Sequence, residues 1–174
     1  MRRVSLNARA IQDAQASAEI YVVLLEIIHP DLATPIRLST DPTERIQADP
    51  LVYGTRSSWR GADPVQEPFL WVVASAILPS DMEDAPASGT IALEILDPEM
   101  ARLVRSYTTR ATIHMAVVLA SSPDLIEGEW TDLQILSADI DTGEILLNFS
   151  REEVENELFP TGRMTRGRFP GLHI

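Results

Sequence analysis

Three histidines, His29, His114 and His173, are the side chains best suited to proton transfer or metal ligation near neutral pH, and they are scattered along the chain. His29 precedes a proline at the end of an apolar run, His114 sits inside another, and His173 is the penultimate residue. None shares a local motif with a second ligand or a nucleophile. A metal triad or a Ser-His-Asp site would have to be assembled entirely by folding. No nucleophile elbow, phosphate loop or zinc-protease motif occurs. The absence of cysteine excludes disulfides, thiol catalysis and cysteine–zinc sites, and leaves either redox compartment open.

The carboxylates are numerous but not arranged as ligands. Asp139-Ile140-Asp141-Thr142-Gly143-Glu144 has the look of a calcium loop. It lacks the further spaced oxygen ligands and the glutamate that ends a twelve-residue loop, so a hairpin turn is the expectation. Asp81-Met82-Glu83-Asp84 is expected to be an exposed acidic loop. Paired carboxylates for glycoside hydrolysis usually come with aromatic platforms. Aromatic content here is 6%, and Trp59, Trp71 and Trp130 lie far apart. The reading is of a protein that is not an enzyme, with no catalytic, cofactor or metal site.

Charge and hydropathy narrow the partners. The 26 acidic residues against 14 basic ones give a net charge of −12, which argues against a general nucleic-acid binder because phosphates are repelled. All 14 basic residues are arginine, the side chain whose fork suits interfaces, although a GC-rich genome is the simpler source of the bias. No apolar run approaches the roughly 20 residues of a membrane span. Met1-Arg2-Arg3-Val4-Ser5-Leu6 is not followed by the apolar core of a cleaved signal. A single soluble domain is expected over residues 1–158, followed by an arm, 159–174.

Several elements follow from pattern. Asn7 is the expected N-cap of a weakly amphipathic helix through about Ala18. Residues 20–28, rich in β-branched side chains, read as a strand buried on both faces, and Ile36-Arg37-Leu38-Ser39 pairs back on it as a hairpin. A short strand is expected around Leu51-Val52-Tyr53, and one continuous strand over 69–78. Residues 55–68 form a polar connection of the length that is either functional or disordered when alone. Further strands are expected at 90–96, 111–120, 133–140 and 145–149. Asp97-Pro98-Glu99 starts a central helix to about Ser106, and Ser150-Arg151-Glu152-Glu153 fits a capping box. The fold class is therefore β-rich α+β: an antiparallel β-sandwich or split barrel with one packed central helix, a short N-terminal helix and an extended C-terminal arm.

The arm differs from the body. It holds three arginines and no acid, so the other 158 residues carry 11 arginines against 26 acids, a net −15. Its glycines and prolines exclude a long helix, while Phe159, Met164, Phe169 and Leu172 supply apolar anchors. Arg163, Met164, Arg166, Arg168, Phe169 and Leu172 are the candidate subunit-interface residues, docking on an acidic neighbouring copy or folding back on their own domain.

Asn7-Ala8-Arg9, Glu26-Ile27-Ile28-His29-Pro30, Pro35-Ile36-Arg37-Leu38, Tyr53-Gly54 and the closing Gly162-Arg163-Met164-Thr165-Arg166-Gly167-Arg168-Phe169-Pro170-Gly171-Leu172 resemble an uncharacterised family of siphophage tail proteins. The resemblance covers nearly the whole chain. It departs near Arg166 or Gly167, where the family pattern has a proline. It implies a tail-tip or baseplate component encoded between the tape-measure protein and a tail-associated peptidase. Its relatives at that position form rings of six-fold or three-fold symmetry that continue the tail tube. The expected partners are further copies of the chain, the tail-tube and tape-measure proteins and other hub proteins. The expected location is the virion, after synthesis in the bacterial cytoplasm. The alternatives are an assembly factor absent from the mature particle and a tail-associated cell-wall hydrolase.

Overall fold

The computed structural model describes residues 4–77, 88–94, 109–141, 143–151, 168 and 171. Within them the chain is β-rich, with ten strands in one mixed sheet and one α-helix. The strands are β1 (Tyr21–Ile28), β2 (Ile36–Ser39), β3 (Glu44–Ala48), β4 (Leu51–Thr55), β5 (Phe69–Trp71), β6 (Ala74–Ile77), β7 (Ser88–Glu94), β8 (Thr112–Leu119), β9 (Ser122–Ile140) and β10 (Glu144–Ser150). Their order is β3-β4-β5-β2-β1-β8-β9-β10-β7-β6.

β1 and β8 form the centre because their β-branched and aliphatic runs are apolar on both faces. They pair antiparallel with Leu25 opposite Met115 and Ile27 opposite Ile113 on one face. Leu24 opposes Ala116 and Val22 opposes Val118 on the other. Each face supports its own core. The larger gathers Leu25, Leu38, Val72, Ile91, Ile113, Met115, Leu133, Ile145, Leu147 and Phe149. The smaller gathers Val22, Leu24, Trp59, Phe69, Ala116 and Val118.

The expected β1–β2 hairpin is present, with Leu25 opposite Leu38. So is the β9–β10 hairpin, where the Asp141 N–H bonds the Glu144 carbonyl. The sheet is not wholly antiparallel, because β2 and β5 run parallel. Nor is 69–78 one continuous strand. β5 lies beside β4 and β2, and two residues later β6 lies beside β7 at the opposite end of the strand order. At the break the Val72 N–H donates to the Ser39 carbonyl (2.9 Å), and the Glu94 N–H donates to the Val73 carbonyl (2.9 Å). The ladder itself is not closed into a ring.

Two further expectations are corrected. The region before Leu51 is a strand, β3, whose largely exposed side chains give it the character of an edge and little apolar signal. β9 begins at Ser122, eleven residues before the expected start. Bulges there leave Glu127 unpaired between Ile126 and Gly128, and set Thr131 and Asp132 against His114. Such bulges break the alternation by which a strand is read. Ser150 ends β10 as a buried strand residue, and Glu152 and Glu153 of the expected capping box lie outside the described residues. The expected central helix (97–106), the residues after Arg151 in the last helical turn, and most of the 79–89 loop lie outside the described residues.

The N-terminal helix α1 spans Leu6–Asp13, and its cap is Ser5 and not Asn7. The Ser5 hydroxyl accepts the Ala8 N–H at 3.0 Å, and Ala14 is already extended. The residues beyond, Ala14 to Ala18, offer no strong apolar side chain with which to continue a packed face.

Candidate assembly surface and the strap across the sheet

The polar connection 55–68 is neither disordered nor free of the body. Trp59–Gly61 makes a short 3-10 turn in which Arg60 takes left-handed angles (φ 57°, ψ 28°), and the turn lies across the second core as a strap. Trp59 is buried, its ring centroid 5.8 Å from that of Phe69, and its indole N–H donates to Glu129 Oε1 at 2.9 Å. Asp124 Oδ1 accepts the Ser58 N–H (2.6 Å), the Ser58 hydroxyl (2.9 Å) and the Ser57 hydroxyl (3.2 Å). The Ser58 backbone and hydroxyl bonds, with the Ser57 hydroxyl, hold the Asp124 pKa below the usual carboxylate range.

The left-handed turn aims Arg60 at Glu26, a buried carboxylate on β1. Arg37, directly opposite Glu26 on β2, bonds its other oxygen at 3.1 Å and reaches Glu67 at 2.8 Å. Beside this network, His114 is opposite Glu26 on β8 and is buried. Its Nδ1 accepts the Asp132 N–H at 3.0 Å, and the bulge supplies that donor, with Asp132 at φ 58°. Burial pushes the His114 pKa down, helped by Arg60 and opposed by Asp132, Glu26 and Glu129. With Nδ1 an acceptor, the neutral ring carries its proton on Nε2.

His29 is buried elsewhere. Its Nδ1 accepts the Asp31 N–H (3.1 Å) and its Nε2 meets the Thr109 hydroxyl (2.7 Å), tying the end of β1 to the start of β8. A cavity of about 380 Å³ lies beside it, lined by Ile27, Leu32, Ile36, Ile135 and Leu147 among others. The two described histidines thus stand in separate networks, and the third, His173, lies outside the described residues. Among the described residues, no three His, Asp or Glu side chains converge as metal ligands, and no helix is long and apolar enough to cross a membrane.

Sequence reasoning singled out none of Arg60, Asp124 or Glu127, and named Glu26 only within the family resemblance. Glu127 is buried, and its Oε2 accepts the Ser5 N–H at 2.6 Å, while Oε1 has no partner among the described residues. In a capping box the residue three past the cap would accept this N–H, but Ala8 cannot. A bulge on a distant strand supplies the missing carboxylate, a signal invisible to local pattern. Of the arm residues, Arg168 is exposed, and Arg163, Met164, Arg166, Phe169 and Leu172 lie outside the described residues. Exposed apolar side chains occur at Leu6, Ile20, Tyr21 and Leu125, and at Leu51, Val65 and Leu70. No protein-family model matches the chain, and no curated protein matches it either.

Proposed function

We propose that the chain is a structural component of the tail tip or baseplate of a long-tailed bacteriophage or phage-like particle, forming an oligomeric ring or hub adaptor at the distal end of the tail tube. The observation that carries this reading is the location of the resembling residues. Glu26 and Arg37 form a buried ion pair joining β1 to β2. His29 joins β1 to Thr109, and Gly54 lies where any Cβ would overlap the Phe69 carbonyl oxygen. These are framework positions, which proteins sharing a scaffold have in common.

The fold is read as a split barrel, supported by the segment 69–77, which bonds β2 at one end and β7 at the other. Among the described residues β3 and β6 end the strand order, and in this reading their edges pair with neighbours. A head-to-tail contact of this kind generates a ring when its rotation closes. The arm 159–174, through Arg163, Met164, Arg166, Arg168, Phe169 and Leu172, docks on an acidic neighbouring copy. The tail-tube and tape-measure proteins and other hub proteins are its further partners.

Quantitative mass spectrometry of purified particles, with copy number referenced to the tail-tube protein, tests the reading. A ring or hub component is present at near three or six copies. Absence from the particle, with a tail defect on gene deletion, marks a transient assembly factor and overturns it.

A further inference from the structure

The bonds that residues 57–60 make to β1 and β9 end on three carboxylates, Asp124, Glu129 and Glu26, together with the Pro123 carbonyl, which accepts from the Ser57 hydroxyl. Beneath Arg60 lies His114, buried and held as a hydrogen-bond acceptor. Beside the larger core the buried titratable side chain is His29, at its margin next to Ile27, Ile36 and Leu147, and its described bonds are to Asp31 and Thr109 and not to the strap. The strap thus depends on titratable partners at each of its attachments, whereas the larger core meets one at its margin.

We propose that residues 57–62 form an acid-released strap, which lifts from β1, β8 and β9 as pH falls and bares Val22, Leu24, Phe69, Ala116 and Val118 while the larger core stays folded. Protonating Asp124 replaces its charge-assisted hydrogen bonds from Ser57 and Ser58 with neutral ones of roughly half the strength. Charging His114 fills the lone pair that accepts the Asp132 N–H and places a cation beside Arg60. The charged groups facing His114 are Arg60 from the strap, Glu26 from β1, and Glu129 and Asp132 from β9.

The changes at Asp124 and His114 share a sign. Both groups have depressed pKa values when the strap is docked, so each binds its proton more readily once the strap is released. Docking stability is complete at neutral pH. It is lost as pH falls, first below the ordinary histidine value and then through the carboxylate range. Local release ahead of global unfolding is the expected consequence where one region depends on titrating groups more than the rest does.

Two full-length variants separate the regions: W71F/W130F leaves Trp59 alone as reporter of the strap, and W59F/W71F leaves Trp130, which packs against the larger core. Acrylamide quenching and far-UV circular dichroism are followed from neutral to acid pH. Trp59 becomes accessible at a higher pH than that at which Trp130 and the dichroism change, and D124N shifts the Trp59 transition to higher pH still. Coincident transitions, or a Trp59 transition unmoved by D124N, overturn the proposal. Hydrogen exchange of the unsubstituted chain, comparing 57–62 with 112–119 after correction for intrinsic rates, gives the same decision without any tryptophan replacement. Equal loss of protection overturns the proposal there too. No particle is required, so failure of the strap and failure of the tail-tip reading are independent results.

Discussion

Glu26 is a carboxylate inside an otherwise aliphatic strand, and it is tolerated there because guanidiniums reach it from two different elements. The Arg37 side chain has 9% of its surface exposed, so its charge depends on this pairing. Glu26→Ala is expected to destabilise the chain by about 3–5 kcal/mol, because it leaves buried cationic charge short of a partner. Glu26→Gln, which keeps an acceptor, should cost less. Urea denaturation of both variants at neutral pH checks the order, and equal stability of Glu26→Ala with the parent chain would remove the network from the framework. How much of this was legible varies residue by residue. His114 sits in an apolar run, so its burial could be read directly. The pairing of Glu26 with Arg60 could not, since it needs a left-handed turn thirty-odd positions away whose angles leave no mark on composition.

Elements were legible where both faces, or one whole face, are apolar. β1, β2, β8 and β10 follow from β-branched runs and turn residues, and all lie within a residue or two of expectation. β3 fails that test because four of its five side chains are exposed, and the start of β9 fails because its bulges shift the alternation. The segment 69–78 reads as one strand because the break at Val72 and Val73 is made by bonding partners and not by a glycine or proline. α1 is a case of an element completed from outside. Among its residues only Ala8 is buried, so much of its attachment rests on the Ser5 N–H to Glu127 bond. Glu127→Ala should therefore loosen α1 specifically, by about 1 kcal/mol, the usual worth of a helix cap. Hydrogen exchange read over residues 6–13 and 112–119 distinguishes this from a general effect. Protection should fall in α1 alone, and an equal fall in β8 would instead make Glu127 a determinant of the sheet.

At the scale of the molecule, charge is divided in a way that no single element reveals. A closing segment with three arginines and no acid follows a body of net −15, and opposite charges on one chain can be satisfied within a copy or between copies. The two cases differ in what deletion does. If 159–174 docks on a neighbour, the truncated chain keeps the thermal midpoint and far-UV dichroism of the full chain as a dilute monomer, yet fails to enter particles. If the segment folds back on its own domain, the midpoint falls, because apolar anchors such as Phe159 and Phe169 leave the folded unit. The interface case carries a second signature. Exposed guanidinium–carboxylate pairs weaken as salt shortens the screening length from about 10 Å at 0.1 M to about 3 Å at 1 M. Self-association of the full chain, followed by sedimentation, should therefore decline with added sodium chloride and be weaker in the 1–158 fragment, with little dependence on salt. Incorporation of the fragment into particles at the level of the full chain would end the proposal that this arm joins neighbouring copies.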